Sequence, residues 1–345
     1  MNDLLPGAVV PARERTGLFA SLVKTLPPES VVFADQRVLR LHPAAAKALA
    51  RFEVLPMVAG EPAKSLTMVE RLARKLHGVS RSATFVALGG GTIGDVIGVL
   101  AHLHKRGVRL IHVPTTLLAA VDSSIGGKGA VNVGEVKNAL GVFHAPAETW
   151  LCPAFFETLS DGQLREGRLE AWKMVATLDA ATFRRWSRKP PDDGALLREA
   201  RGLKDAVVRT DPYERKDVRV VLNFGHTFGH VLESVSGYTL RHGDAVGLGM
   251  LCALDVGVAM GLTPRGVADA VEQALPNRPG ARRELSRWAS RAKVSAVSTV
   301  LAADKKGSGG ALRMVLLEDL GRWRVARVEA SQWQGLWRGA WSRGG

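Results

Sequence analysis

The sequence predicts a chain of two domains, an α/β domain first and an α-helical domain after it. Length is the first reason, because 345 residues exceed one ordinary hydrophobic core. The second is a change of texture. Residues 30 to 150 alternate short β-rich runs with helical patterns, whereas from about residue 160 long helical patterns dominate. The third is strand order: "SVVFAD" (30 to 35), "ATFVALGGG" (83 to 91) and "VRLIHVP" (108 to 114) read as buried strands. Between the first two, "PAKSLTMVERLARKLHG" sets Leu66, Val69, Leu72 and Leu76 on one helical face. Strand, helix, strand in that order implies parallel βαβ units. The expected domains are residues 1–160 and 161–345.

The second half continues with "EGRLEAWKMVATLDAATFRRW" and "GDAVGLGMLCALDVGVAMGL", both helical in pattern. "RKPPDDG" (188 to 194) and "PNRPG" (276 to 280) break helices and do not link domains. "VLLEDLGRWRVARV" fits a β-hairpin. In the tail, "QWQGLWRGAW" spaces Trp333, Trp337 and Trp341 four apart, as a helix packing its apolar face would.

Composition excludes several classes. The hydrophobic and charged fractions are those of a soluble globular protein. "MNDLLPGAVVPARERTG" lacks the layout of a signal peptide, and no uninterrupted apolar run reaches membrane-span length. Cys152 and Cys252 form no metal or redox motif, which suits a reducing cytoplasm. The formal charge of +14 and pI near 10.3 raise the question of nucleic acid. The basic residues are scattered without interleaved aromatics, so an arginine-rich surface, or a basic cleft for an anionic substrate, fits better.

"VALGGGTIGD" runs from a strand through a glycine turn into a helix, and Gly89, Gly91 and Gly94 satisfy G-x-G-x-x-G. Glycines let a backbone approach a pyrophosphate, whose charge the following helix N-terminus favours. Its place some 90 residues in is not that of an ordinary Rossmann domain. "HVPTTLLAAVDSSIGGKGAVNVGEVKNALG" then collects Thr115, Thr116, Asp122, Ser123, Ser124, Lys128, Lys137 and Asn138 in what reads as a long functional loop. Lysines, hydroxyls and glycines together suit phosphate or carboxylate binding. Glu170 and Lys173 share a helix face, and His226, His230 and His242 follow. Spacing alone pairs His226 with His230 as an i, i+4 metal site. However, the glutamate of the zincin pattern is replaced by Thr227, and histidines that merely cap or pack are the plain alternative.

Seven segments occur together in the order seen in 3-dehydroquinate synthases: "GGGTIGD", "PTTLLAAVDSSIGGK", "KNALGVF", "LEAWK", "LNFGHTFGH", "HGDAV" and "DKK". From about residue 30 to 320 the chain resembles this family of sugar phosphate cyclases. The resemblance implies a Rossmann-like α/β domain that binds NAD, an all-α domain that binds a divalent metal, Zn²⁺ or Co²⁺, and an active site between them. It implies conversion of 3-deoxy-arabino-heptulosonate 7-phosphate to 3-dehydroquinate and phosphate. The route is transient oxidation by NAD, phosphate elimination, re-reduction and aldol closure, with the substrate phosphate taking a proton near Asn138, Lys173 and His230. The implied metal ligands are Glu170, His226 and His242, which leaves His230 beside the substrate phosphate. Implied cofactor contacts are Asp35, Glu61, Lys64, Gly90, Gly91, Asp95, Thr115, Thr116, Asp122, Lys137, Thr158 and Leu159. Substrate or catalytic positions are Asp122, Lys128, Asn138, Lys173, Lys204, Arg219, Asn223 and His230, with Lys305 and Lys306 of "DKK". Arg106 matches an arginine that reaches into a neighbouring subunit's site, which implies a homodimer. No membrane or nucleic-acid partner is expected.

The chain departs from the family pattern in several letters. Gly129 follows "GGK" where threonine is common, and "LEAWKMV" stands for the usual "AEVIKYG". "DPYERKDVR" carries one residue more than the usual stretch, with Asp217 near a customary glycine. His242 is followed by "GD" and not "GE". None of these removes a ligand or catalytic group; bulky Trp172 beside Glu170 bears on the pocket's shape and so on which substrate fits. The alternatives are another sugar phosphate cyclase of secondary metabolism, a metal-dependent polyol dehydrogenase, and a non-catalytic relative.

Overall fold

Burial on both faces explains why β-branched runs became the middle of a parallel sheet. The computed structural model describes residues 13–134, 136–277, 279–291 and 312–328. The chain forms two compact units, one reaching Leu164 and including Asp205–Tyr213, the other holding Arg165–Lys204 and the residues from Glu214 on.

In the first unit the strands are β1 (Arg13–Thr16), β2 (Val31–Asp35), β3 (Glu53–Met57), β4 (Thr84–Gly89) and β5 (Arg109–Pro114). After them come β6 (Lys128–Val133), β7 (Val136–Phe143) and β8 (Glu148–Leu151). Six of these form one parallel sheet in the order β1-β8-β5-β4-β2-β3. All six residues of β4 are buried. The edges are blunted: β1 is charged Arg-Glu-Arg-Thr, and β3 carries Pro56, which a central strand would not tolerate. Helices α1 (Phe19–Val23), α2 (Gln36–Leu41), α3 (Pro43–Ala48), α4 (Leu66–Lys75) and α5 (Gly91–Leu103) complete the unit.

Two expectations need correction here. Leu66 is 46% exposed, so the buried face of α4 is Val69 and Leu72, with Leu76 just beyond it. The stretch from 115 to 143 is no bare loop: it makes a π-type turn at Ala119–Ser123 and the antiparallel β6–β7 hairpin. The hairpin was missed because its residues alternate poorly and much of β7 is exposed.

The second unit is mainly helical: α6 (Asp161–Leu178), of which residues from Arg165 belong here, α7 (Ala180–Arg188), the first part of α8 (Asp193–Thr210), α9 (His226–Val235), α10 (His242–Ala259), α11 (Arg265–Ala274) and α12 (Ala281–Arg291). The expected hairpin is present as β9 (Leu312–Asp319) with β10 (Arg322–Val328). The tryptophan stripe of 333, 337 and 341 lies outside the described residues. Long and apolar enough by composition to cross a membrane, α10 is 83% buried inside the protein, as a core helix is. Its small residues let neighbours come close. A Cβ on Gly249 would meet the Gly225 carbonyl oxygen at 2.1 Å, and one on Gly243 would meet Glu166 Cα at 2.4 Å. These contacts hold the starts of α9 and α10 beside α6, and each start is a histidine.

Candidate functional site

In the first unit the site begins where β4 ends. Gly90 alone separates β4 from α5, and its carbonyl accepts from the amides of Ile93 and Gly94. No side chain caps the helix start, which suits a pyrophosphate. Thr115 lies beside the turn, donating its amide to the Gly89 carbonyl at 3.0 Å. Thr116 is close enough that a Cβ on Gly90 would sit 3.3 Å from its Cγ2. Asp122 lies in the π-type turn that follows.

A chain of polar contacts ties this turn to the hairpin. Buried Lys64 sets Nζ 2.7 Å from Asp95 Oδ2 and donates to Asn138 Oδ1 at 2.6 Å. The Asn138 amide donates to Asn132 Oδ1 at 2.8 Å, and Asn132 Nδ2 donates to Glu61 Oε2 at 2.9 Å. Asn138 holds φ at 52°, a left-handed conformation that asparagine tolerates. Burial pushes the Asp95 carboxyl above its ordinary range, against the pull of Lys64. Asn132 was not singled out from the sequence, since nothing local distinguishes it from a hairpin residue. Asn138, expected at the substrate, has its side-chain oxygen on Lys64.

The other expected residues of this unit take the following places. Asp35 ends β2 and caps α2 through the Arg37 amide at 2.8 Å. Thr158 Oγ1 meets His42 Nε2 at 2.9 Å, with Leu159 following it. Lys128 opens β6 exposed, and Lys137 is half-buried on β7. Arg106 is exposed in the turn after α5, at the end opposite the glycines.

In the second unit three side chains converge. His226 Nε2 and His242 Nε2 lie 3.5 and 3.7 Å from the same Glu170 Oε1. Ligand atoms of Glu170, His226 and His242 all fall within 4.8 Å of one another. Glu170 is fully buried, and neither of its oxygens accepts a hydrogen bond of good geometry. Lys173 Nζ, 2.5 Å from Oε2, is an ionic contact that leaves Oε1 facing the two imidazoles. A buried carboxylate with two histidine nitrogens is the donor set a zinc-like ion takes. The residues fit such an ion.

His230 is exposed and outside this cluster, its ring 5.7 Å from that of His226. The i, i+4 spacing therefore does not name the group that the fold assembles, in which His226 is joined by His242 from α10. Lys173, Lys204 and Arg219 are buried cations of this unit, and Arg219 Nε lies 3.4 Å from Glu214 Oε1. Asn223 is exposed. Lys305 and Lys306 lie outside the described residues.

The family description for the 3-dehydroquinate synthase N-terminal region matches residues 54–166, and that for the C-terminal region matches residues 167–307. The chain belongs to the 3-dehydroquinate synthase family. It is 32% identical to the 3-dehydroquinate synthase of Sulfurisphaera tokodaii, covering 93% of each chain. With that of Leuconostoc citreum it shares 36% identity over 90% of this chain and 88% of the relative. Among solved structures, a 2-deoxy-scyllo-inosose synthase complexed with carbaglucose-6-phosphate, NAD⁺ and Co²⁺ superposes with a TM-score of 0.80 at 25% identity, covering 94% of this chain and 96% of that one. The fold is also that of the 2-epi-5-epi-valiolone synthase of Streptomyces hygroscopicus, TM-score 0.82 at 24% identity over 97% of both.

Within the 3-dehydroquinate synthase family the departures of this chain have structural reasons. Trp172 is buried edge-on against Phe183 at 5.6 Å and Trp186 at 5.4 Å, so its ring packs in the core of the helical unit. Asp217, near a customary glycine, has φ of 57°, which aspartate tolerates, and pairs with Arg313 at 3.1 Å. Asp244, in place of glutamate, takes Arg165 Nε at 2.8 Å.

Proposed function

We propose that this chain is a 3-dehydroquinate synthase, converting 3-deoxy-arabino-heptulosonate 7-phosphate to 3-dehydroquinate and phosphate with NAD and a divalent ion, Zn²⁺ or Co²⁺. The observation that carries it is the convergence of His226 and His242 on one buried Glu170 oxygen, in a chain of this family. Glu170, His226 and His242 would hold the ion. The chemistry that bound groups supply is Lewis acidity at the hydroxyl to be oxidised and reversible hydride transfer without net redox.

The remaining work falls to side chains. Amides at the start of α5, with Thr115 and Thr116 beside them, receive the dinucleotide phosphates in residues 1–160. Lys64 neutralises Asp95 and steadies the hairpin through Asn138. In residues 161–345, Lys173, Lys204 and Arg219 are buried cations matched to an anionic substrate, and His230 with Asn223 offers exposed hydrogen-bonding groups. Lys173 also sets its ammonium against Glu170, offsetting the charge of the ligand carboxylate. The reading includes a homodimer. α5 alone puts about 20 Å between Arg106 and the glycine turn, which supports service to a partner's site. It places the enzyme in the cytoplasm and in the shikimate pathway, a carbon–oxygen lyase acting on phosphate.

The test is phosphate release from 3-deoxy-arabino-heptulosonate 7-phosphate, with NAD⁺ and Zn²⁺ present and then chelated, following NADH in the same cuvette. Metal-dependent release without NADH accumulation is expected. Release only from another sugar phosphate would move the assignment to a different cyclase. Net NADH would make it a polyol dehydrogenase.

A further inference from the structure

Glu233 lies three residues beyond the "LNFGHTFGH" segment, and neither catalysis nor ligation has yet used it. It sits on α9 two turns beyond His226, with a side chain only 10% exposed. Its Oε1 lies 3.5 Å from His242 Nδ1, while the opposite nitrogen of that ring, Nε2, faces Glu170 Oε1 at 3.7 Å. His226 shows the same layout. There Nδ1 faces the Phe224 carbonyl at 3.3 Å and Nε2 faces Glu170 Oε1 at 3.5 Å. Each ring thus turns Nδ1 outward to an oxygen and Nε2 inward to the carboxylate.

A neutral imidazole carries one ring proton. An acceptor at Nδ1 keeps the proton there and leaves the Nε2 lone pair for a ligand. For His226 the acceptor is backbone, which no substitution at that position removes. For His242 it is a side chain. We propose that Glu233 is a positioning residue, holding His242 in the Nδ1–H tautomer and turning Nε2 to the metal position. The inference rests on the metal-centre reading.

Wild type, Glu233→Gln, Glu233→Met and His242→Ala, all full-length, are compared in two measurements. Competition of Zn²⁺ with a chromogenic chelator reads affinity, and long-range ¹H–¹⁵N spectra of the metal-free chains read the His242 tautomer. His242→Ala identifies the resonance. Glu233→Met is expected to weaken Zn²⁺ binding by about 10–100-fold and to move His242 towards the Nε2–H form. Glu233→Gln, whose amide oxygen still accepts, falls between. The metal-free melting temperatures should stay alike. Wild-type affinity and tautomer in Glu233→Met would overturn the proposal, as would weaker binding with an unchanged tautomer and a lowered melting temperature. A wild-type chain without Zn²⁺ affinity would instead sink the metal-centre reading, and the spectra would still decide whether Glu233 sets His242.

Discussion

Gly98 of α5 and Gly129 of β6 meet backbone against backbone. A Cβ on Gly98 would lie 3.4 Å from Gly129 Cα, and one on Gly129 would lie 3.0 Å from the Asp95 carbonyl oxygen and 3.1 Å from the Val99 amide nitrogen. The threonine common at this place in the family needs room that the α5 backbone does not leave. Gly129→Thr is expected to destabilise the protein by about 1–3 kcal/mol in urea unfolding, through overpacking. Because the hairpin carries Asn132 and Asn138, NAD⁺ affinity should fall with it. Unchanged stability and affinity would show that the hairpin can lift freely.

Lys64 is the hub of the contacts around Asp95. Lys64→Met leaves the half-buried Asp95 carboxylate without its cation, a change worth about 1–3 kcal/mol of stability. Asp95→Asn in the same chain should recover part of that loss, because the unpaired charge is then gone. Denaturation of the two single variants and the double variant closes the cycle. Additive losses would mean that the pair is not coupled.

The strands that could be read from sequence were those buried on both faces. "FVALG" and "LIHVP" have no competing pattern, so β4 and β5 stood out at once, and β2 with them. β1, β3 and the β6–β7 hairpin could not be read this way, since exposed charges, a proline and weak alternation hide them. The glycine turn was legible because its chemistry is local. The Glu170, His226 and His242 cluster was not, because its members come from three helices and no spacing rule links them. Only the family resemblance brought those three together, and the one local rule available chose His230. Asn132 and Glu233 were beyond reach for the same reason: their roles exist only in contacts across the fold.

Trp172 tests the separation between packing and chemistry on one helix. Its ring packs with Phe183 and Trp186, whose indole in turn donates to Glu199 Oε2 at 2.9 Å. Trp172→Ala should cost about 3–5 kcal/mol, read as a lower urea midpoint at unchanged slope. The substrate KM at a temperature where the variant is folded should match wild type. A raised KM with normal stability would instead place Trp172 at the pocket.

Glu166 gives the helical unit a pH dependence of unusual sign. Burial lifts its carboxyl from 4.5 to about 7, with Asp244 adding to the rise and Arg241 and His242 opposing it. In the folded state it therefore holds a proton that the unfolded chain has already released. Its contribution is fullest below the unfolded pKa of 4.5 and is lost as pH rises through the folded value of about 7. At about 1.4 kcal/mol per pH unit, the metal-free protein should lose roughly 2–3 kcal/mol over that window. Glu166→Gln stays neutral throughout, so its unfolding free energy should be flatter from pH 4.5 to 7 and higher than wild type at pH 8. Urea titrations of both chains across that range decide it: parallel curves would mean that Glu166 is ionised in the fold at neutral pH, with Arg241 and Arg165 outweighing its burial.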